Sequence, residues 1–467
     1  MNRHSLPNLR TVLMMTAICL AALVGPAAAI GIRTHAEIGR MAVETHLMQY
    51  GPVADIAGLF DSDESLRALY AGCAFPDWGF GGIYPDASEF SHWHRFMETY
   101  MELLERRFPP PWNAGARRQI AFFLGVLCHN MADIPWHFDE AGHRSFLTAG
   151  FDADGAGHGE IEFACDMFLY AEKVLEPAMG LGLWYPLDTV LEVFSETGQT
   201  VTADQVAQGM FRAGFMFFGG PLLGTFQFHK HKADMPWVYA HYRDYYYGGM
   251  IHNAALTAVM ARYVYARLNG DYYYQNTPPY ADHVRRNKDY VPRLQIEDTS
   301  FIPGYPELRD STGPYIEVGG PKVAHRCGFV RVDLSDIPAG TEVDRAYLWL
   351  HTADADQPES AELTAYRLCK PWDAITEDDM ENAAPVGSVV LEKQKAGWMK
   401  LDVSAAAAVW IADPAANYGL LLRVTGSGEA STTVRMYSSD VFQLPLNSSY
   451  GGERIACRPA VHILARK

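Results

Sequence analysis

Between Ala121 and Glu140 the chain reads AFFLGVLCHNMADIPWHFDE. The first part is apolar enough for a buried helix, yet His129 and Asp133 stand four residues apart, on one helical face, where both side chains reach the same point. That is metal-ligand spacing. Pro135 removes a backbone donor and crowds the preceding turn, so it is expected to kink or end the helix and re-aim His137 without carrying it far away. Three candidate ligands thus fall within nine residues. The commoner use of a histidine on an apolar helix is as a hydrogen-bonded core residue, so the rest of the chain has to decide between the two.

Other residues of the same chemistry occur in a definite order. His35 lies in Thr34-His-Ala-Glu-Ile38, Asp77 follows Phe75-Pro76, and His92 and His94 lie in Ser91-His-Trp-His-Arg-Phe96. His158 and Glu162 form a His-x-x-x-Glu pair after the Gly-rich Asp152–His158, on the expected first turn of a helix. Imidazoles and carboxylates together make the nitrogen and oxygen donor set that zinc accepts, in numbers sufficient for more than one ion. No Cys-x-x-Cys pair is present, which argues against a structural zinc finger.

The elements that must carry these residues are helical. Apolar residues recur three or four apart in Glu37–Gln49, Glu64–Leu69, Trp93–Arg107, Arg117–Asp133, Ile161–Val174, Asp188–Thr197, Ala203–Phe218 and a long Tyr242–Leu268. His229 and His231 alternate as in a strand or loop. After Asn276-Thr-Pro-Pro-Tyr280 the period changes to two, in Gly328–Asp333, Arg345–His351, Glu362–Leu368, Gly419–Val424, Thr433–Tyr437 and Ala460–Leu464. The expected organisation is an all-α domain over 30–275, a linker over 276–300 and an antiparallel β-sandwich over 301–467. Residues 1–29 have a basic start at Arg3 and Arg10, an apolar core Val12–Val24 and a small-residue end at Ala27-Ala28-Ala29, which read as a secretory signal peptide cleaved near Ala29. The mature chain is then expected to be secreted or periplasmic.

The order His35, Asp77, His92, His129, Asp133, His137, His158, Glu162 resembles that of the zinc-dependent phospholipase C family, an all-α trinuclear zinc fold shared with single-strand-specific nucleases. Gly31–Gly39, Ala71–Asp77, Ser91-His-Trp93 and His129–His137 look closest to the catalytic domain of the glycosylphosphatidylinositol-specific phospholipases D. The resemblance covers about Gly31 to Leu268. It implies three zinc ions: Asp77, His92, His129 and Asp133 on the first, His35 and a bridging Asp133 on the second, and His137, His158 and Glu162 on the third. Ser-His-Trp favours His92 over His94. Asp77 is the expected general base or water-orienting group, since a carboxylate at the edge of a metal can both ligate and accept a proton. In relatives with a processed N-terminus the free α-amine also binds the second zinc; here only Ile30–Thr34 would precede His35, a departure from that pattern. The strand-rich part resembles carbohydrate-binding jelly-roll sandwiches.

The activity so implied is hydrolysis of phospholipid or glycosylphosphatidylinositol-type head-group phosphodiesters at a membrane surface, since zinc activates water at neutral pH and neutralises phosphate charge. A zinc nuclease or 3′-nucleotidase of the same fold is the alternative, with a glycan-binding protein lacking catalysis as a third. The strand-rich part is expected either to take a cell-surface glycan or glycolipid head group or to be a purely structural sandwich. Without its leader the chain has 36 basic against 55 acidic residues, a net charge of −19, and so no footprint for duplex nucleic acid. No later stretch has the ~20 apolar residues that span a bilayer. Among the remaining six cysteines, Cys327 and Cys457 flank the first and last expected strands and are the candidate disulfide pair.

Overall fold

The computed structural model describes residues 31–48, 51–80, 84–139, 143–172, 184–276, 296–310, 313–319, 325–353, 361–381, 383–391, 396–426, 433–439 and 454–466. The expected signal peptide and its cleavage point lie outside them. Two compact units result, one of Met1–Arg40, Ser62–Leu103 and Asn113–Arg243, the other of Met41–Asp61, Leu104–Trp112 and Asp244–Lys467.

The first unit is helical, with α1 Ile32–Met41, α2 Asp63–Ala74, α3 Pro85–Ser91, α4 His94–Arg107, α5 Ala114–His137, α6 Phe146–Asp154, α7 His158–Glu172, α8 Leu187–Glu196, α9 Ala203–Asp234 and α10 Pro236–His241. At its centre is α5, whose residues Ile120 to Trp136 are buried without a break. A helix enclosed on all sides has no polar stripe, which is why this stretch reads apolar almost throughout. Its first turn is capped by Asn113, whose side chain accepts from the Ala116 amide at 3.0 Å. Pro135 does not end it. The helix runs on to His137, because a proline this close to the C-terminus forfeits one hydrogen bond of the last turn while the packing of Ile134 and Trp136 holds the chain in place.

Helices α2 and α5 meet at two glycines. A Cβ on Gly72 would stand 2.0 Å from the Phe122 carbonyl oxygen, and one on Gly125 2.0 Å from that of Leu69. Any larger residue at either position would push the two backbones apart. Helix α9 extends to Asp234 rather than stopping at Phe218, so His229 and His231 are helical, contrary to their strand-like alternation. The capping box Thr202/Gln205 opens it. The expected long helix Tyr242–Leu268 is broken by Tyr247 and Gly248, both at positive φ, and its helical part begins only at Met250.

In the second unit this helix, α11 Met250–Leu268, sits with the strands: buried Arg262 donates to the His46 and Ala456 carbonyls, and Ala266 shares a small core with Val53, Tyr273 and Ala460. The units therefore do not divide at residue 275. All strand pairs are antiparallel. Strands β1 Tyr272–Gln275, β2 Ile296–Ile302, β3 Tyr305–Asp310, β4 Tyr315–Gly319, β5 Cys327–Val332, β6 Val343–His351, β7 Ala361–Arg367, β8 Pro385–Val390, β9 Trp398–Asp402, β10 Leu420–Gly426, β11 Thr433–Tyr437 and β12 Ala460–Ala465 form a four-stranded sheet, order β1-β12-β6-β9, a six-stranded one, order β3-β2-β5-β10-β7-β8, and the pair β11-β4. Apolar residues of all three, among them Leu348, Leu363, Leu401, Leu422 and Val434, join in one core. Strand β2 occupies the end of the expected linker, where Asn276 brackets the Ile296 backbone from both sides. Cys327 and Cys457 are not joined in the expected disulfide; Cys327 packs against the Met380 sulfur at 3.8 Å.

Candidate metal centre

Helix α5 presents His129, Asp133 and His137 at successive fourth positions, one line down one face. The close crossing of α2 brings the Cys73 carbonyl to 2.7 Å from His129 Nδ1. Just past α2, the turn Pro76–Gly79 carries Asp77 and is pinned to α3: Ser88 Oγ donates to the Pro76 carbonyl at 2.5 Å and accepts from the Gly79 amide at 3.0 Å. Helix α3 ends at His92, whose Nδ1 lies 2.8 Å from the Ser88 carbonyl and whose own carbonyl is held by Asn130.

The eight residues converge. Asp133 is the pivot: Oδ2 is 3.3 Å from His129 Nε2 and 3.6 Å from His92 Nε2, while Oδ1 is 3.3 Å from His35 Nε2 and 3.5 Å from His137 Nε2. Asp77 Oδ1 lies 3.3 Å from His92 Nε2 and 3.7 Å from His129 Nε2. Beyond His137, Glu162 Oε1 is 3.7 Å from His137 Nε2 and 2.6 Å from His158 Nε2. Among the described residues three sets able to hold a cation emerge: His35/Asp77/His129, His92/His129/Asp133 and His137/His158/Glu162, the donor atoms of each within 4.8 Å of one another. His94 enters none of them.

The donor chemistry fits a divalent metal. A carbonyl only accepts, so His92 and His129 must each donate from Nδ1, which leaves a lone pair on each Nε2. Those two Nε2 atoms face each other at 3.0 Å, so with both rings neutral they are two acceptors, and only a proton retained by His92 or a bound cation can lie between them. Carbonyl partners on the far ring nitrogen are the usual way a protein orients a metal-binding imidazole. Both ring nitrogens of His35, Asp77 Oδ1, Asp133 Oδ1 and Glu162 Oε2 are likewise buried without a hydrogen bond. Burial and the neighbouring His129 pull the His35 pKa down to about 4, keeping the ring neutral. Burial together with Asp133, Asp77 and Asp166 pushes Glu162 up to about 10. Burial would also raise Asp133, but His129, His137 and His35 hold it well below the carboxylate range. For His92 burial acts downward, and Asp77 and Asp133 overcome it, raising it to about 9. Such crowding of acceptors is what a bound dication relieves.

Asp166 escaped the sequence reading. One turn beyond Glu162 on α7, it is buried and accepts from the Thr34 amide at 2.8 Å, Thr34 Oγ1 at 2.9 Å and the Arg33 amide at 3.2 Å. A carboxylate on the free amides of a helix start fixes the helix and complements its dipole. It thereby sets His35, whose ring stacks on that of His129 with centroids 3.6 Å apart. A Cβ on Gly31 would collide with the Asp166 carboxylate. The visible signal was a second acid one turn after Glu162, indistinguishable in sequence from any other helix acid.

Residues 34–205 match the profile of the zinc dependent phospholipase C family. This segment is thus similar to the zinc-dependent phospholipase C family, and the relatives it resembles are phosphatidylinositol-glycan-specific phospholipases D. The chain is 24% identical over 229 residues to the phosphatidylinositol-glycan-specific phospholipase D of Homo sapiens, which is 47% of this chain and 27% of that protein. With the Dictyostelium discoideum protein of the same name it is 27% identical over 207 residues, 40% of this chain and 20% of the relative. The Bos taurus protein is 31% identical over 112 residues, 23% of this chain and 13% of the relative. The chain thus spans about a quarter or less of the length of these curated relatives. Residues 314–443 match a different profile, that of the TGF-beta propeptide.

Proposed function

We propose that this protein is an exported zinc-dependent phosphodiesterase that hydrolyses phospholipid or glycosylphosphatidylinositol-type head-group diesters. The observation that carries the reading is the Asp133 pivot, a buried carboxylate whose two oxygens face four imidazoles belonging to neighbouring acceptor sets. Zinc ions held there would polarise the phosphoryl oxygens and activate water. Asp77, His92, His129 and Asp133 would hold one ion, His35 with Asp133 a second, and His137, His158 and Glu162 a third. Asp77, with an unpartnered buried oxygen, orients the attacking water and takes its proton. His158, its side chain 48% exposed, marks the open side by which the diester enters. No helix among the described residues is long and apolar enough to cross a membrane. The strand-rich part would bind a cell-surface glycan, for which the exposed Tyr305 offers an aromatic face; a glycan array probed with the whole protein tests that assignment.

The test is metal content by mass spectrometry together with products from lecithin vesicles, a glycosylphosphatidylinositol-anchored substrate and single-stranded DNA. Zinc near three equivalents and a phosphorylated head group or phosphatidic acid are expected. Cleavage of DNA alone would move the assignment to a nuclease, and zinc-loaded protein inert on all three would defeat it.

A further inference from the structure

Helix α6 ends at Gly155, which has φ 69 and open space around it, and the chain folds back into α7 at His158. Between the two helices lies a slot of about 220 Å³ lined by Leu147, Thr148, Phe151, His158 and Ile161. His158 is shared with the His137/His158/Glu162 set, so the slot starts at the metal centre. Its walls carry no other ionisable group, and Thr148 Oγ1 is already engaged by Ser145 Oγ at 3.0 Å. Ile161 forms the floor, fully buried, and Phe151 stands 58% exposed at the outer edge.

We propose that this slot is an apolar subsite that takes a hydrocarbon chain carried by the phosphodiester, with Leu147, Phe151 and Ile161 as its specificity-determining residues. This rests on the phosphodiesterase reading. A sugar or a nucleoside brings hydroxyls and ring nitrogens that would go unpaired against these walls, whereas a methylene chain loses nothing and gains by leaving water. With phosphate at the metals, a group attached on the His158 side would lie against this slot, since His158 belongs to both. Phe151 would cover the chain where it leaves.

Calorimetric titration of the zinc-loaded protein with n-alkyl phosphonates of two to ten carbons, and with n-alkanols of the same lengths, tests this. Affinity should rise about fourfold per methylene until the slot is full. Phe151→Asp and, as a second variant, Leu147→Asn should flatten that slope, with each fold checked by circular dichroism. A wild-type series independent of length, or variants that keep the wild-type slope, would overturn the subsite. A length dependence among alkanols with no extra affinity for phosphonates would uphold the slot while removing the phosphate-binding reading of the metal centre.

Discussion

The two units bury polar groups in opposite ways. Around Gln275 in the strand-rich unit donors meet acceptors: this fully buried side chain gives its amide to the Ala456 and Arg458 carbonyls at 3.2 and 2.9 Å and accepts from the Tyr273 hydroxyl at 2.7 Å. In the helical unit acceptors crowd on acceptors, imidazoles against one another and against Asp77 and Asp133, with the proton that His92 retains as partial relief in the bare chain. The first pattern is what folding alone selects, because each buried polar group must recover the hydrogen bond it had in water. The second is unfavourable for the bare chain and makes sense only with positive charge at its centre. The contrast separates a polar core that serves stability from one that serves a ligand.

Asp133→Asn tests the contrast most severely. The shape is kept, but the charge shared by four imidazoles is lost, so activity on a soluble diester should fall by more than about a hundredfold and bound zinc should drop, read by turnover and elemental analysis. Full activity would mean that the acceptor crowding has another purpose. Asp166→Ala should act less strongly: it strands the Arg33 and Thr34 amides, costing about 1–3 kcal/mol in thermal unfolding. If Asp166 positions His35, zinc affinity should fall as well, and a variant that lowers the melting temperature while holding zinc as tightly as wild type would confine Asp166 to stability.

Gln275→Leu is the counterpart in the other unit. About 1–3 kcal/mol should be lost, since the Tyr273 hydroxyl and the Ala456 and Arg458 carbonyls each lose a hydrogen bond, while zinc content stays at the wild-type value. Lost zinc would show that the two polar cores are not independent. The smallest signal is a proton count. In metal-free protein at pH 8, Glu162 at about 10 and His92 at about 9 lie above the solution pH and hold their protons. Zinc needs both deprotonated, so its uptake should release one to two protons, visible as a buffer-dependent enthalpy, and an enthalpy that is the same in all buffers contradicts the charge picture.

Much of the site was legible because its ligands lie in short local spacings. His129, Asp133 and His137, and likewise His158 and Glu162, are fourth neighbours on single helices, and helix geometry alone puts such residues on one face. The strands β5, β6, β7, β10, β11 and β12 were visible as alternating runs for the same local reason. What stayed hidden depends on partners far along the chain. Strand β2 read as linker because its pairing with β5 involves residues some thirty positions away. The full length of α9, the passage of α5 through Pro135 and the company α11 keeps with the strands are all set by packing, which overrides local propensity.

The amino-acid order by itself determined the kind of chemistry, a set of imidazoles and carboxylates on an apolar helical frame, since composition and spacing fix donor type and helical face. Only the tertiary structure decided which donors share a point, that Asp133 stands between the sets, that Asp166 anchors the helix of His35, and that Gly72 and Gly125 allow two backbones close enough for the Cys73 carbonyl to orient His129. The physical reason is that a ligand's identity is a property of one residue, whereas its position is a property of every contact that holds it.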